Sequence, residues 1–309
     1  MRLDIAAQSD TGRRKKNNED AYGVYQEDTP GLTFFQEGAL LCVADGLGGH
    51  MGGEIASKLA VSIIKDVVKE SAHPVPAPEE AASQEGPFPA LRAAMQRANA
   101  SVFQTNQDLV KKGKPMGTTV LAALVEPKKV YIVNVGDSRA YHLREGEIID
   151  RTEDHSWVDE QVKLGLMSKA EAETDTRRNI VTRCVGTHPE ISADTYHWNI
   201  IPGDQLLLCT DGLVNMVHDS EIVAIFRRGG TAAEISHSLV DLANENGGKD
   251  NITVIVVTVS PNPVRQVVLK TRGLFRRAHF TWGWFFFLLV YGLACLGAGG
   301  YFLGRHFPR

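Results

Sequence analysis

The sequence predicts an α+β fold. Two observations carry that expectation. Several short, largely aliphatic runs are bounded by Gly, Asp or Pro, and each has the length of one buried strand. Two long amphipathic segments follow one another directly between those runs, whereas a doubly wound sheet needs strands and helices to alternate strictly.

The elements follow in chain order. Residues 21–25 read as a short strand after a polar opening segment, and 39–44 (ALLCVA) as a buried one. Ile55, Leu59, Ile63 and Val67 recur every four residues, which predicts a helix over 54–70 with one apolar stripe. Residues 71–90 hold five of the 13 prolines and read as an insertion, because the pattern resumes on both sides. Leu91, Met95, Ala98 and Val102 mark a second long helix. Residues 118–125 (TTVLAALV) and 130–135 (VYIVNV) read as strands, and Glu145-Gly146 as a hairpin turn after a strand at 140–143. Ser168-x-x-Glu171 and Thr231-x-x-Glu234 have capping-box spacing, and Gly229 and Gly247 sit where helices stop. Residues 205–209 (QLLLC) and 252–259 (ITVIVVTV) complete the strands.

Composition narrows the class. With 43% hydrophobic and 23% charged residues in 309, the chain can bury a core, which excludes wholesale disorder. Cys42, Cys184, Cys209 and Cys295 are too scattered for a disulfide scaffold or a zinc ribbon. The formal charge of −4 hides a split. From residue 261 onward there are seven Lys or Arg and no Asp or Glu, which leaves 1–260 at −11. An acidic body argues against nucleic-acid binding.

The basic tail reads as a membrane anchor. Residues 280–303 (FTWGWFFFLLVYGLACLGAGGYFL) carry no charge. As a helix they would span about 36 Å at about 1.5 Å per residue, enough for a bilayer core of about 30 Å. Trp282, Trp284 and Tyr301 lie near the ends, where amphipathic rings prefer the interface. Arg265, Lys270, Arg272, Arg276 and Arg277 precede the span and only Arg305 and Arg309 follow it. The positive-inside rule then places the body in the cytoplasm, on the inner (cell) membrane with a single pass. Residues 261–279 read as the juxtamembrane linker. Residues 1–20 lack the apolar core of a signal peptide.

The chemistry-bearing pattern is where the acids fall. Asp45 closes ALLCVA, Asp137 follows VYIVNV-Gly136, Asp211 follows LLLC-Thr210, and Asp250 precedes Asn251 and ITVIVVTV. Glu19 and Asp20 precede the strand at 21–25. Singly, each is turn chemistry. Together, at the ends of neighbouring strands, they would converge on one rim, repel and raise one another's pKa. Divalent cations that prefer oxygen ligands, Mg²⁺ or Mn²⁺, would relieve that.

An ordered set of motifs then carries a family resemblance. It comprises Ser9-Asp10-x-Gly12…Asn18-Glu19-Asp20, Val43-Ala44-Asp45-Gly46-Leu47-Gly48-Gly49, Met116-Gly117-Thr118-Thr119 and Asn134-Val135-Gly136-Asp137-Ser138-Arg139-Ala140-Tyr141. Thr152-x-Asp154-His155-Ser156, Thr182-Arg183-x-Val185-Gly186, Cys209-Thr210-Asp211-Gly212-Leu213 and Asp250-Asn251-Ile252-Thr253 complete it. Over about residues 1–260 the chain resembles the bacterial metal-dependent protein phosphatases of the 2C type.

The resemblance implies a four-layer α-β-β-α sandwich with a two-metal site at one end of the sheets. It implies hydrolysis of phosphoserine and phosphothreonine in proteins by metal-activated water, without a phospho-enzyme. Asp45 resembles the carboxylate bridging two Mn²⁺ or Mg²⁺ ions, and Gly46 would offer its carbonyl, with Glu19 nearby. Asp211 and Asp250 resemble ligands completing the first metal, so that Asp45, Asp211 and Asp250 act catalytically through its water. Asp20 would hold metal-bound water, and Asp137 with Asp211 resembles a third, weaker site. Residues 155–179 resemble the flap beside the site.

Two positions depart from the family. Lys15 stands where members usually carry a phosphate-clamping Arg; it can bind phosphate as a point charge but cannot make the bidentate fork. Leu47 stands where eukaryotic members carry His, which leaves leaving-group protonation to metal-bound water or to His50. His50 and His155 themselves read first as structural or exposed. Ser138 reads as a turn residue and the cysteines as inert core. No P-loop, H-E-x-x-H or nucleophile elbow is present, and Gly46–Met51 misses G-x-G-x-x-G. The expected partners are phosphorylated proteins, among them a membrane Ser/Thr kinase and its substrates, which the anchor would hold at high effective concentration. The alternative is a catalytically weak or inactive phosphoprotein-binding module at the membrane.

Overall fold

The computed structural model describes residues 1–26, 38–48, 51–71, 86–109 and 115–261. The first part of the chain forms β1 (Arg2–Asp10), β2 (Ala21–Gln26), β3 (Ala39–Ala44), β4 (Gly46–Leu47), α1 (Met51–Ser71) and α2 (Phe88–Leu109). Then come β5 (Gly117–Thr118), β6 (Val120–Val125), β7 (Lys129–Val135), β8 (Arg139–Arg144), β9 (Glu147–Arg151), α3 (Trp157–Lys163) and α4 (Lys169–Thr174). The last described elements are β10 (Asp194–Asn199), β11 (Gln205–Cys209), α5 (Asp211–Val214), α6 (Asp219–Arg228), α7 (Ala232–Glu245) and β12 (Ile252–Ser260).

Two five-stranded sheets form the centre, ordered β1-β12-β11-β8-β9 and β10-β7-β6-β3-β2, with a two-stranded β4–β5 ladder beside them. All their pairings are antiparallel. Alternation within each strand explains the layers. In β3, Leu41 and Val43 meet Leu206, Leu208, Ile255 and Val257 of the other sheet. Leu40 and Cys42 face α1 and α2 instead, with Ile64 and Met95. On the far side Leu207, Cys209 and Val254 pack under Ile222, Phe226 and Leu239 of α6 and α7. The order of layers is helices, sheet, sheet, helices. Strands buried on both faces read as continuous apolar runs, which is why the central ones were visible in the sequence.

Local chemistry agrees with several expectations. Glu145 (φ 53°) and Gly146 (φ 75°) make the two-residue β8–β9 turn. Ser168 and Thr231 both close capping boxes, Gly229 caps α6, and Gly247 follows the cap of α7.

Others need correction. The buried face of α1 is Gly53, Ala56, Ser57, Ala60, Val61, Ile64, Val67 and Val68, whereas Ile55 is exposed. The true face lies slightly round the helix from the expected stripe, sharing Val67 and leaving Leu59 and Ile63 at its edge. The strand expected over 118–125 breaks at Thr119, whose backbone turns aside to bond Asp45. The insertion is shorter than 71–90, since α2 begins at Phe88; its residues 72–85 lie outside the described residues, as does His50. β1 and β10 were not anticipated. The linker 261–279, apart from Pro261, and the span 280–303 also lie outside the described residues. Among the described residues no helix is long and apolar enough to cross a membrane.

Candidate active site

The acids lie at strand ends. Asp45 separates β3 from β4, and its backbone is pinned on both sides. Its N–H donates to Thr119 Oγ1 at 2.9 Å, while its carbonyl accepts from Thr119 N–H at 2.9 Å and from Thr118 Oγ1 at 2.8 Å. Thr119 Oγ1 also meets Ser138 Oγ at 2.8 Å. Ser138 is thus a fully buried tie between the loops holding Asp45 and Asp137, rather than a plain turn residue.

Gly46 must be glycine for space. A Cβ there would fall 2.6 Å from Glu19 O and closer still to the carbonyl of Gly53. Gly136 must be glycine for conformation as well, with φ +115° and Thr119 packed against it.

Asp20 is buried. Its Oδ2 accepts from Thr253 Oγ1 at 2.7 Å and Thr210 Oγ1 at 2.9 Å. Glu19 is positioned by Asn251, whose Oδ1 accepts the Glu19 N–H at 2.8 Å, and by Ser57 Oγ, which donates to Glu19 O at 2.6 Å. Asn251 Nδ2 donates to Thr11 O and Asn17 O, both at 2.9 Å, so one side chain ties three points of the 11–19 loop to the start of β12. Asp211 opens α5 and takes a bond from Asn215 Nδ2 at 3.0 Å.

The electrostatics show that these carboxyls share one environment. Burial, then the charges of Asp20, Asp211 and Asp137, raises the Asp45 pKa well above the carboxylate range. Burial and Asp211 do the same for Asp137. Burial and Asp250 likewise raise Asp211. Lys15 Nζ is paired to Asp250 and feels Asp45 and Glu19. The eight residues expected at the site are therefore brought to one rim.

That rim suits hard divalent cations. Asp20 Oδ1 and Asp211 Oδ1 are buried and find no hydrogen-bond partner among the described residues. The donors are carboxylate and carbonyl oxygens, the chemistry Mg²⁺ and Mn²⁺ take. Among the described residues no three His, Cys, Asp or Glu side chains already surround one point at ligand spacing. Asp20 is turned onto its two threonines, and Lys15 lies on Asp250.

Several supporting residues carry no role in the sequence reading. Arg139 grips Asp154 with Nε and Nη2, at 2.7–3.0 Å. His155 is buried, and its Nδ1 accepts the Gly136 N–H at 3.0 Å, which makes it structural. Thr210, Thr253 and Asn251 stood inside quoted motifs, but their partners come from 190 to 240 residues away, so spacing alone could not assign them. The segment resembling a flap forms α3 and α4, and beside it lies a cleft of about 500 Å³ that Asp137 and Asp211 help to line.

Comparison with known proteins agrees with this geometry. The protein phosphatase 2C profile matches residues 12–244. The serine/threonine phosphatase stp of Listeria monocytogenes is 36% identical over 252 residues, covering 81% of this chain and 93% of that protein. The structure of the S. agalactiae serine/threonine phosphatase superposes with a TM-score of 0.71 at 30% identity, covering 84% of this chain and 100% of that one. The catalytic domain of the serine/threonine protein phosphatase PstP, solved in complex with two manganese ions, gives 0.66 at 32% identity, covering 84% and 99%.

Proposed function

The chain belongs to the protein phosphatase 2C family of metal-dependent serine/threonine phosphatases, and from that premise we propose that it removes phosphate from phosphoserine and phosphothreonine in cytoplasmic proteins while tethered to the inner membrane. One observation carries the catalytic part: Asp20, Asp45, Asp137 and Asp211, from both sheets, are gathered into one rim, where Asp20, Asp137 and Asp211 add to burial in raising the pKa of Asp45. Like charges gathered in this way are relieved by protons or by a counter-ion, and oxygen-preferring divalent cations suit these donors. Mn²⁺ or Mg²⁺ is the cofactor of the family, and Asp45, Asp211, Asp250, Glu19, Asp20, Asp137 and the Gly46 carbonyl are the groups that would hold two ions and a weaker third. When bound, such ions supply the Lewis acidity that phosphoryl transfer to water needs.

The chain's own residues do the rest. Lys15 offers an ammonium to the phosphate oxygens beside Asp250. Thr210 and Thr253 hold Asp20 as an acceptor. Thr118 and Thr119 hold the Asp45 backbone. Ser138 is buried and tied to Thr119, and burial pushes the Cys184 thiol pKa up, which fits direct hydrolysis rather than a phospho-enzyme.

The tether rests on the uncharged 280–303 segment and its flanking cations. It supports a role opposing membrane Ser/Thr kinases. The catalytic part is tested by hydrolysis of a phosphothreonine peptide by the full-length protein with Mn²⁺, with Mg²⁺ and with chelator. Turnover should need metal and vanish in Asp45→Asn; wild-type turnover in that variant would refute the assignment. The tether is tested by membrane fractionation of the full chain against a chain ending at 260. Equal solubility of the two would remove the anchor.

A further inference from the structure

The cleft beside the acids has an apolar floor inside a polar wall. It is lined by the half-buried Val162 of α3 on one side and Val214 of α5 on the other. Val158, Ala172 and Val217 lie buried beneath them. Asp137 and Asp211 line the same cavity, so whatever fills it is continuous with the groups at the metal rim. Its volume of about 500 Å³ lies in the range of small-ligand pockets and exceeds what a bare phosphate needs.

The polar wall also holds Arg178, Asn179, Asn215, His218 and Ser220, and two of its ion pairs are closed within it. Arg139 is held by Asp154. Arg151 Nη1 meets Asp219 Oδ2 at 3.0 Å, and Tyr141 Oη donates to Asp219 Oδ1 at 3.0 Å. Asp159 Oδ2 takes the Ser156 hydroxyl at 2.5 Å. Lys169 stands exposed in the lining, a positive charge facing any incoming cation. A substrate side chain entering here meets valines and the paired Arg139–Asp154 and Arg151–Asp219. A lysine would lose hydration while Asp154 and Asp219 are already engaged and Lys169 repels it.

We propose that this cleft is the subsite for an apolar residue next to the phosphorylated one, so that the protein selects phosphothreonine segments flanked by Leu, Ile or Val and rejects those flanked by Lys. The proposal rests on the phosphatase reading and names the substrate class for the same site. The occupant is a segment of a phosphoprotein substrate, because the cavity opens onto the acids that would act on its phosphate.

The test uses full-length protein with Mn²⁺ and phosphothreonine peptides that differ only at one of the two flanking positions. At one of these positions Leu should exceed Lys in kcat/KM by about tenfold or more, through KM, as hydrophobic pockets discriminate. Val162→Asp should invert the ratio, and because the Lys peptide gains in that variant, misfolding cannot mimic the result. Equal rates for Leu and Lys peptides at both positions overturn the subsite, as does an unchanged ratio in Val162→Asp. p-Nitrophenyl phosphate separates the two levels. If it is hydrolysed while the peptides are not discriminated, only the subsite falls. If it is not hydrolysed, the phosphatase reading falls with it.

Discussion

Lys15 Nζ lies 2.5 Å from Asp250 Oδ1, so the chain sets its own cation against one of the carboxylates of the metal rim. Burial lowers the Lys15 pKa, but the bond to Asp250 and the charges of Asp250, Asp45 and Glu19 outweigh it and leave it raised. Both partners are more than a third exposed, so the pair itself adds little stability. Its value is position: a cation held beside the acids can meet a phosphate. Lys15→Met should raise KM for a phosphothreonine peptide about tenfold with a smaller change in kcat. Lys15→Arg, which restores the bidentate fork, should lower KM below wild type. Unchanged KM in Lys15→Met would remove Lys15 from substrate binding.

The acid rim makes the metal-free protein less stable as pH rises. Burial, only partly offset by Thr253 and Thr210, raises Asp20 from 3.8 to about 7, and Asp211 and Asp250 add to it. A carboxyl with a raised folded pKa binds its proton more tightly folded than unfolded. Its stabilising contribution is complete below about pH 4 and is lost as pH climbs through about 7. Asp204 works the other way: its burial is outweighed by Arg144, the Ile201 N–H and His142, and its ionisation is complete below this window. Between pH 5 and 7.5, chelator-treated protein should lose about 2–4 kcal/mol, a Tm decrease of roughly 5–10 °C. Added Mn²⁺ should abolish the trend. A flat or rising Tm in chelator would show that the acids do not share one rim.

Much of this was legible because the signals were local. An Asp-Gly or Asp-Asn step at the end of an all-apolar run marks a strand end and places a carboxylate there, and both faces of β3, β6, β11 and β12 are buried enough to leave unbroken apolar runs. β1 and β10 escaped because they are edge strands. Their inter-sheet face is carried by Leu3, Ile5 and Ala7 in β1 and by Tyr196 and Trp198 in β10, so neither forms the continuous apolar run that marked the central strands.

Helix α1 was read in part. Of the stripe Ile55, Leu59, Ile63 and Val67, Val67 is buried and Leu59 and Ile63 pack at the edge of the core, whereas Ile55 is exposed. The packing instead uses Gly53 and Ala56 at the rim end, where Glu19 and Gly46 come close. The supporting hydrogen bonds were illegible in principle. Thr210 and Asp20 meet across 190 residues, and Asn251 and Thr11 across 240, which only the closed fold brings together.

Asn251 ties three points of the 11–19 loop to the start of β12, whereas Ser57 holds one. It is buried and makes three bonds at 2.8–2.9 Å, to Glu19 N–H, Thr11 O and Asn17 O. At about 1 kcal/mol each, Asn251→Ala should cost about 3 kcal/mol in urea unfolding and weaken Mn²⁺ binding, measured calorimetrically, because Glu19 and Lys15 lose their anchor. Loss of stability with full Mn²⁺ affinity would show that the loop does not position the metal rim.

Arg139 and Asp154 form the charged wall between Asp137 and the flap segment. Arg139 reaches both Asp154 oxygens, and its Nη1 donates to Tyr141 Oη at 3.2 Å. The side chains are only 22% and 10% exposed, so either charge left alone would be poorly hydrated. Breaking such a pair from one side strands the other charge, and Arg139→Met should cost about 3–5 kcal/mol. Asp154→Leu alone should cost a similar amount. The double variant should recover a large part of the loss, since two apolar side chains leave no charge unpaired. Arg139→Lys should fall between wild type and Arg139→Met, keeping the charge and losing the fork. Urea unfolding of the four variants closes the cycle. Costs that simply add would mean the two side chains act independently. A coupling of several kcal/mol would mean the pair is one structural unit.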